Sequence, residues 1–171
     1  MALVSGEDII MSVISYISSK RVRQKSGDGF ILDTISAKYP NINILPRGLS
    51  WEVDTQGPRI GVRPVYEHAT AFFYGAAQIF SWSLAIEVDC LILRADGTPD
   101  VYAGLRALHS LKASLQQMFY EGVQVPLSIW GETGAFADAG SLTVRKPRTY
   151  PVSDTQFAIA LSLDQISQPG D

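Results

Sequence analysis

The chain has 171 residues, 46% of them hydrophobic and 18% charged, with a formal net charge of −3. That length carries one well-buried core and is short for two, and the slightly acidic balance excludes a global basic field for holding nucleic acid. The single cysteine, Cys90, excludes a disulfide framework and a cysteine metal site within one chain. Few charges on such a chain suggest that partners cover part of its surface. The amino-terminal stretch MALVSGEDIIMSVISYI lacks the basic leader and continuous apolar run of a signal peptide. No apolar run reaches the roughly 18–20 residues of a membrane span. The expectation is a protein made and assembled in a cytoplasm.

Ser5 opens SGED, a capping-box-like start with Asp8 three residues on. Ile10, Val13, Ile14 and Ile17 then mark one face at helical spacing, which predicts a helix to about Ser19 docked on a sheet. KRVRQK follows, either a solvated helix end or a basic contact to nucleic acid or an acidic partner. Ser26 to Gly29 reads as a turn. FILDTISAKYP fits either a short strand or a short helix, ended by Pro40. NINILPRGLSWEVD holds two short strand-like pieces around Pro46 and Gly48. Arg59 to His68 reads as a strand, with Pro64 arguing for an edge or a break.

Ala69 to Ala77, ATAFFYGAA, reads as a connecting loop that is apolar where loops are usually polar. Phe72, Phe73 and Tyr74 stand side by side in it. Such a segment either folds onto its own core or forms a patch covered by another subunit, where aromatics are enriched.

The longest orderly run is Gln78 to Arg94, QIFSWSLAIEVDCLILR. Phe80, Trp82, Leu84, Ile86, Val88, Cys90 and Ile92 share one parity; Ser81, Ser83, Ala85, Glu87 and Asp89 share the other. Strand side chains alternate between faces, so this is a strand with one buried and one wetter face. A usual strand has about 5–6 residues, so a bulge may divide this one or its end project as a hairpin arm. Leu91 and Leu93 break the polar parity, and the second half is expected to be covered on both faces. A turn, ADGTPD, leads to a helix opening at Thr98 with Pro99 in first position. Its apolar stripe is Val101, Leu105, Leu108, Leu115, Met118 and Phe119, and Gly122 marks its stop. Val125 to Trp130 reads as a strand and Gly131 to Ser141 as a mobile small-residue loop. Leu142 to Val152 reads as an edge strand because of Pro147 and Pro151. Thr155 to Ile166 is the last strand, before a loose tail over 167–171.

Little in this pattern carries chemistry. His68 and His109 have no companion ligand at metal spacing. There is no GxxxxGK, GxGxxG or GxSxG motif. Glu87 and Asp89 share a strand face, and such a pair can hold a divalent cation for phosphodiester cleavage. A nuclease site of that kind wants a lysine two positions on, where Leu91 stands. The plainer alternative is a polar strip that keeps a face wet or lines a pore. With no cofactor or metal site indicated, the expected class is a scaffold or assembly protein.

The order of elements adds to this. The capped helix at 5–19, ILPRG at 44–48, RIGVRPVYEHA, the strand ending LILRADGTPD, the helix VYAGLRALHSLKASLQQMF and the final FAIALSLD together resemble the tail terminator proteins of long-tailed bacteriophages and, more broadly, their head-to-tail neck proteins. The resemblance implies a single α/β (α+β) domain, a mixed or mainly antiparallel sheet with a long hairpin, flanked by two helices. It implies a non-enzymatic virion protein whose copies, six by expectation, close into a ring. The ring caps the tail tube and meets the head connector, while DNA passes through the lumen without specific binding. A ring needs two different patches that meet head to tail. Phe72, Phe73 and Tyr74, and Arg145, Arg148 and Tyr150 on the proline-marked edge, are the candidate contacts. Glu87 and Asp89 are the candidate lumen-facing pair, where carboxylates would repel DNA phosphates. A head-completion or tube subunit is the neighbouring alternative, and a small metal-dependent nuclease using Glu87 and Asp89 the alternative from another class.

Overall fold

Ser5 caps the first helix, α1 (Gly6–Ser19), as its sequence predicts. Ser5 Oγ accepts from Asp8 N at 3.2 Å and Asp8 Oδ2 accepts from Ser5 N at 2.9 Å, which closes the capping box. The helix belongs to a computed structural model that describes residues 4–23, 32–46, 58–66, 69–75, 77–130 and 136–167. The expected turn at 26–29, the second strand-like piece after Gly48, His68, and the tail beyond Ser167 lie outside the described residues. Ile9, Val13, Tyr16 and Ile17 are fully or nearly buried, and Ile10 and Ile14 partly so.

The basic stretch after α1 does not continue the helix. It forms β1 (Arg21–Arg23), antiparallel to β2 (Leu32–Thr34). The segment that fitted either strand or helix is both in turn. Thr34 ends β2 and its Oγ1 accepts from Ala37 N, starting the short α2 (Ile35–Lys38).

The main sheet contains β3 (Asn43–Pro46), β4 (Arg59–Pro64), β5 (Thr70–Tyr74), β6 (Ala77–Asp89), β7 (Gln124–Trp130), β8 (Phe136–Ser153) and β9 (Gln156–Ser167). Its order is β3-β4-β6-β9-β8-β7, with β5 also on β6. β3 runs parallel to β4 and the other pairs are antiparallel, so the sheet is mixed. α1 touches β7 at one end of this order and β3 and β4 at the other. The sheet therefore curls around α1, which closes the gap between its ends, and the result is one α+β domain.

The core parity of β6 is the expected one. Leu84, Ile86 and Val88 face Leu161, Ile159 and Phe157 on β9, and Ile60 and Val62 on β4 complete the layer. Rows of branched side chains directly opposite one another are the unit of sheet stabilisation. β6 ends at Asp89, earlier than the alternation to Arg94 suggests. Beyond it the chain folds back: Cys90 N donates to Thr155 O, Arg94 N to Thr98 O and Asp100 N to Ile92 O. Thr98 and Pro99 belong to this turn and do not open the helix.

The second long helix, α3 (Val101–Met118), is capped instead by Asp100, whose side chain accepts from Ala103 N at 3.0 Å. Its stripe also departs from expectation in the first two turns. Gly104, Ala107, Leu111, Ser114, Leu115 and Met118 are buried, while Val101 is 75% exposed and Leu105 46%. The reason is a close approach: a Cβ on Gly104 would stand 2.8 Å from the Cys90 carbonyl oxygen. The helix can reach the end of β6 only through its small face, which turns Val101 and Leu105 outward. At its other end Tyr16 Oη donates to Met118 O at 3.0 Å and the Tyr16 ring meets Phe119 edge-on, so both long helices share one core.

Cys90 is fully buried. Burial first, and the neighbouring Asp89 charge second, push its thiol from an ordinary value of 9.0 up to about 12. A group with a raised folded value contributes stability that is intact below its unfolded value and is lost as pH rises toward the folded one. Unfolding should therefore become easier from about pH 9 upward. Iodoacetamide at neutral pH should label Cys90 at the rate of global unfolding, read by mass spectrometry across a urea series.

Candidate functional site

Glu87 and Asp89 do share a face of β6, as their spacing predicts, but they are not a wet strip. Arg59 lies directly opposite Asp89 on β4 and donates through Nη2 to Asp89 Oδ2 at 2.6 Å. Asp89 is 3% exposed and also accepts from Leu91 N at 3.0 Å and Gln156 Nε2 at 3.3 Å. Arg63 Nε donates to Glu87 Oε1 at 3.0 Å. Ala85 and Ala158, on the same face, are each 1% exposed, so mid-sheet this face is covered. Asp89 is therefore shielded within its own chain and does not face a lumen, whereas Glu87 keeps part of its side chain at the surface. Each carboxylate already has a guanidinium where a cation would sit, in one buried pair at Asp89 and one half-buried pair at Glu87, an arrangement of structural ion pairs and not of metal ligands. Among the described residues no three His, Cys, Asp or Glu side chains are grouped to hold a metal ion.

The aromatic triplet is not in a loop. Residues Thr70–Tyr74 form β5, antiparallel to the first residues of β6. β4 and β5 lie along the same edge of β6, β4 against 84–89 and β5 against 77–81. The long hairpin thus continues past the body as an arm of three strands, β5, β6 and the end of β9. Phe72, Ile79 and Ile166 form one cross-strand row on its outer face. Phe73 lies on the opposite face, in line with Gln78, and is 75% exposed. From Ala69 to Ile86 the sequence contains no charged residue. An exposed strand on a soluble protein normally carries charge, proline or a bulge to discourage pairing, and β5 has none of these.

The second candidate patch is on β8. This strand pairs with β7 from Phe136 to Thr143 and with β9 from Thr143 to Ser153, so each half is flanked on one side and the β7 ladder ends at Thr143. Past that point it is open on one side, and both prolines fall there. Pro147 sits within a register shift between Arg145 and Arg148, beside Lys146 with φ +52°. Glu121 holds this bulge, accepting from Lys146 N at 2.6 Å and from Arg145 Nη1 at 3.4 Å. Arg145 also lies 3.7 Å from Asp164. Arg148 is exposed opposite Ala160, and Tyr150 is half-buried opposite Ala158. Of the expected mobile loop, residues 136–141 belong to β8 and residues 131–135 lie outside the described residues. Arm and β8 edge are on opposite sides of the β6–β9 pair, so the two candidate patches are separate surfaces.

A third feature was not anticipated. Where β6 ends, Cys90, Leu91, Ile92, Pro99, Asp100, Val101, Gly104, Leu105, Asp154 and Thr155 line a mainly apolar pocket of about 460 Å³. Its sequence signal was the surplus of apolar residues around the start of α3, more than one helix face can bury. Comparison with protein-family models and with curated proteins finds no match to this chain. Among the described residues no helix is long and apolar enough to cross a membrane.

Proposed function

We propose that this chain is a structural virion protein, a tail terminator whose copies close into a ring between tail tube and head connector. The observation that carries the proposal is the arm: an aromatic, unblunted hairpin end with no charge between Ala69 and Ile86 that exposes apolar side chains on both faces. Charge is depleted at the centre of protein interfaces and aromatics are enriched there. The fold, one α+β domain with a long hairpin and two long helices, agrees with what the family resemblance implies. The arginine-paired carboxylates favour a structural role for the strand face that was the best enzymatic candidate. In this proposal the protein works at the virion neck after assembly in the host cytoplasm, meets the tube and connector proteins, and lets DNA pass without specific binding. Negative-stain electron microscopy of the purified chain tests it. Closed single rings are expected; long tubes would point to a tube subunit, and isolated small particles would contradict assembly.

A further inference from the structure

We propose that Phe73 on the arm of one copy seats in the pocket beside α3 of a second copy, so that the subunits join head to tail. This rests on the self-assembly proposed above and names the surfaces that make it. Arm and pocket are at opposite ends of the same strand. β6 has 13 residues, and at about 3.3 Å per residue they stand roughly 43 Å apart. They cannot meet within one chain, and a second copy supplies each with the other.

Both features are on the helix-bearing side of the sheet. Phe73 lies on the parity of Phe80 and of the core residues Leu84, Ile86 and Val88, and Cys90 of the pocket belongs to the same core. The pocket's volume, about 460 Å³, falls in the range of about 300–1,000 Å³ that takes compact ligands, so an aromatic side chain and its neighbours can enter. Its walls are chiefly Leu91, Ile92, Pro99, Val101 and Leu105, and an arm with no charge between Ala69 and Ile86 brings none into it. Leu105 and Val101 are turned outward because Gly104 faces Cys90, which leaves α3 with a second apolar face.

Area decides the form of the assembly. A buried aromatic side chain contributes about 150–250 Å², and a stable pairing needs about 800 Å² per partner. One seated arm falls short of that. A subunit that both gives an arm and receives one makes two such contacts, and closure of a ring makes them mutually reinforcing.

Single-cysteine exchange tests the contact. Native Cys90 lines the same pocket, so both variants are made in a Cys90→Ala background. Phe73→Cys and Leu105→Cys are prepared separately, mixed and mildly oxidised. A covalent dimer from the mixture and none from either variant alone is the expected result. A dimer from Phe73→Cys alone would mean that the arms pair with each other, and would overturn the proposal. Native mass of the unmodified protein is measured alongside. An oligomer with no link between positions 73 and 105 overturns this contact and leaves self-assembly standing; a monomer at every concentration overturns self-assembly itself. Phe73-dependent co-sedimentation with phosphatidylcholine vesicles, with no link in the mixture, would assign the arm to lipid instead. Leu105→Arg supplies a second readout: it stands on an exposed site and should give monomers that fold normally.

Discussion

Asp89→Ala is expected to destabilise the fold by about 3–5 kcal/mol, the usual cost of removing one partner of a buried ion pair. The Arg59 side chain is 7% exposed and loses the carboxylate 2.6 Å away, while Leu91 N and Gln156 Nε2 lose an acceptor. Asp89→Asn keeps an oxygen near Leu91 N and removes the charge, so it should fall between alanine and the native protein. The double variant Arg59→Met with Asp89→Leu should recover most of the loss, because an apolar pair of similar volume no longer needs neutralising. Urea unfolding at fixed protein concentration measures all four, and an unchanged slope would assign the shifts to stability alone. A loss below about 1 kcal/mol for Asp89→Ala would match an exposed pair and contradict the burial described here. The same variants bear on function. If the pair is structural, Asp89→Asn should still assemble wherever it still folds.

The second large effect is on assembly. Phe72→Ser with Phe73→Ser should reduce the native mass to that of a single 18.7 kDa chain. Its unfolding midpoint should hardly move, since the two rings are 43% and 75% exposed in the subunit and surface changes usually stay within about 0.5 kcal/mol. Arg148→Ala is the paired measurement on the other candidate patch. Arg148 is exposed on the open part of β8, behind a bulge and two prolines that discourage strand pairing. Its loss should weaken assembly far less than loss of the arm, as rim charges contribute less than buried aromatic anchors. Sedimentation velocity on each variant gives the ranking.

The long strand was legible because its parity is a local property. Leu84, Ile86 and Val88 show their face without reference to any other residue. So was the Ser5–Asp8 capping box, whose partners are three residues apart. Three features depended on distant residues and were not. The carboxylates of Glu87 and Asp89 looked solvated because the arginines that pair with them are on another strand. Thr70 to Tyr74 looked like a loop because it is short, follows a proline and ends at Gly75; its pairing with β6 makes it a strand. The inner face of α3 was misassigned because Val101 and Leu105 are apolar, whereas the contact that orients the helix belongs to Gly104 and the Cys90 carbonyl. Apolar periodicity reports which residues avoid water. It does not say whether the same chain or another one shields them.

Sedimentation equilibrium of the unmodified protein over a range of concentrations tests self-assembly most directly. A discrete multiple of 18.7 kDa, dissociating to single chains when Phe72 and Phe73 are replaced, is the expected result. A stable single chain at every concentration, with the arm left bare, would contradict it.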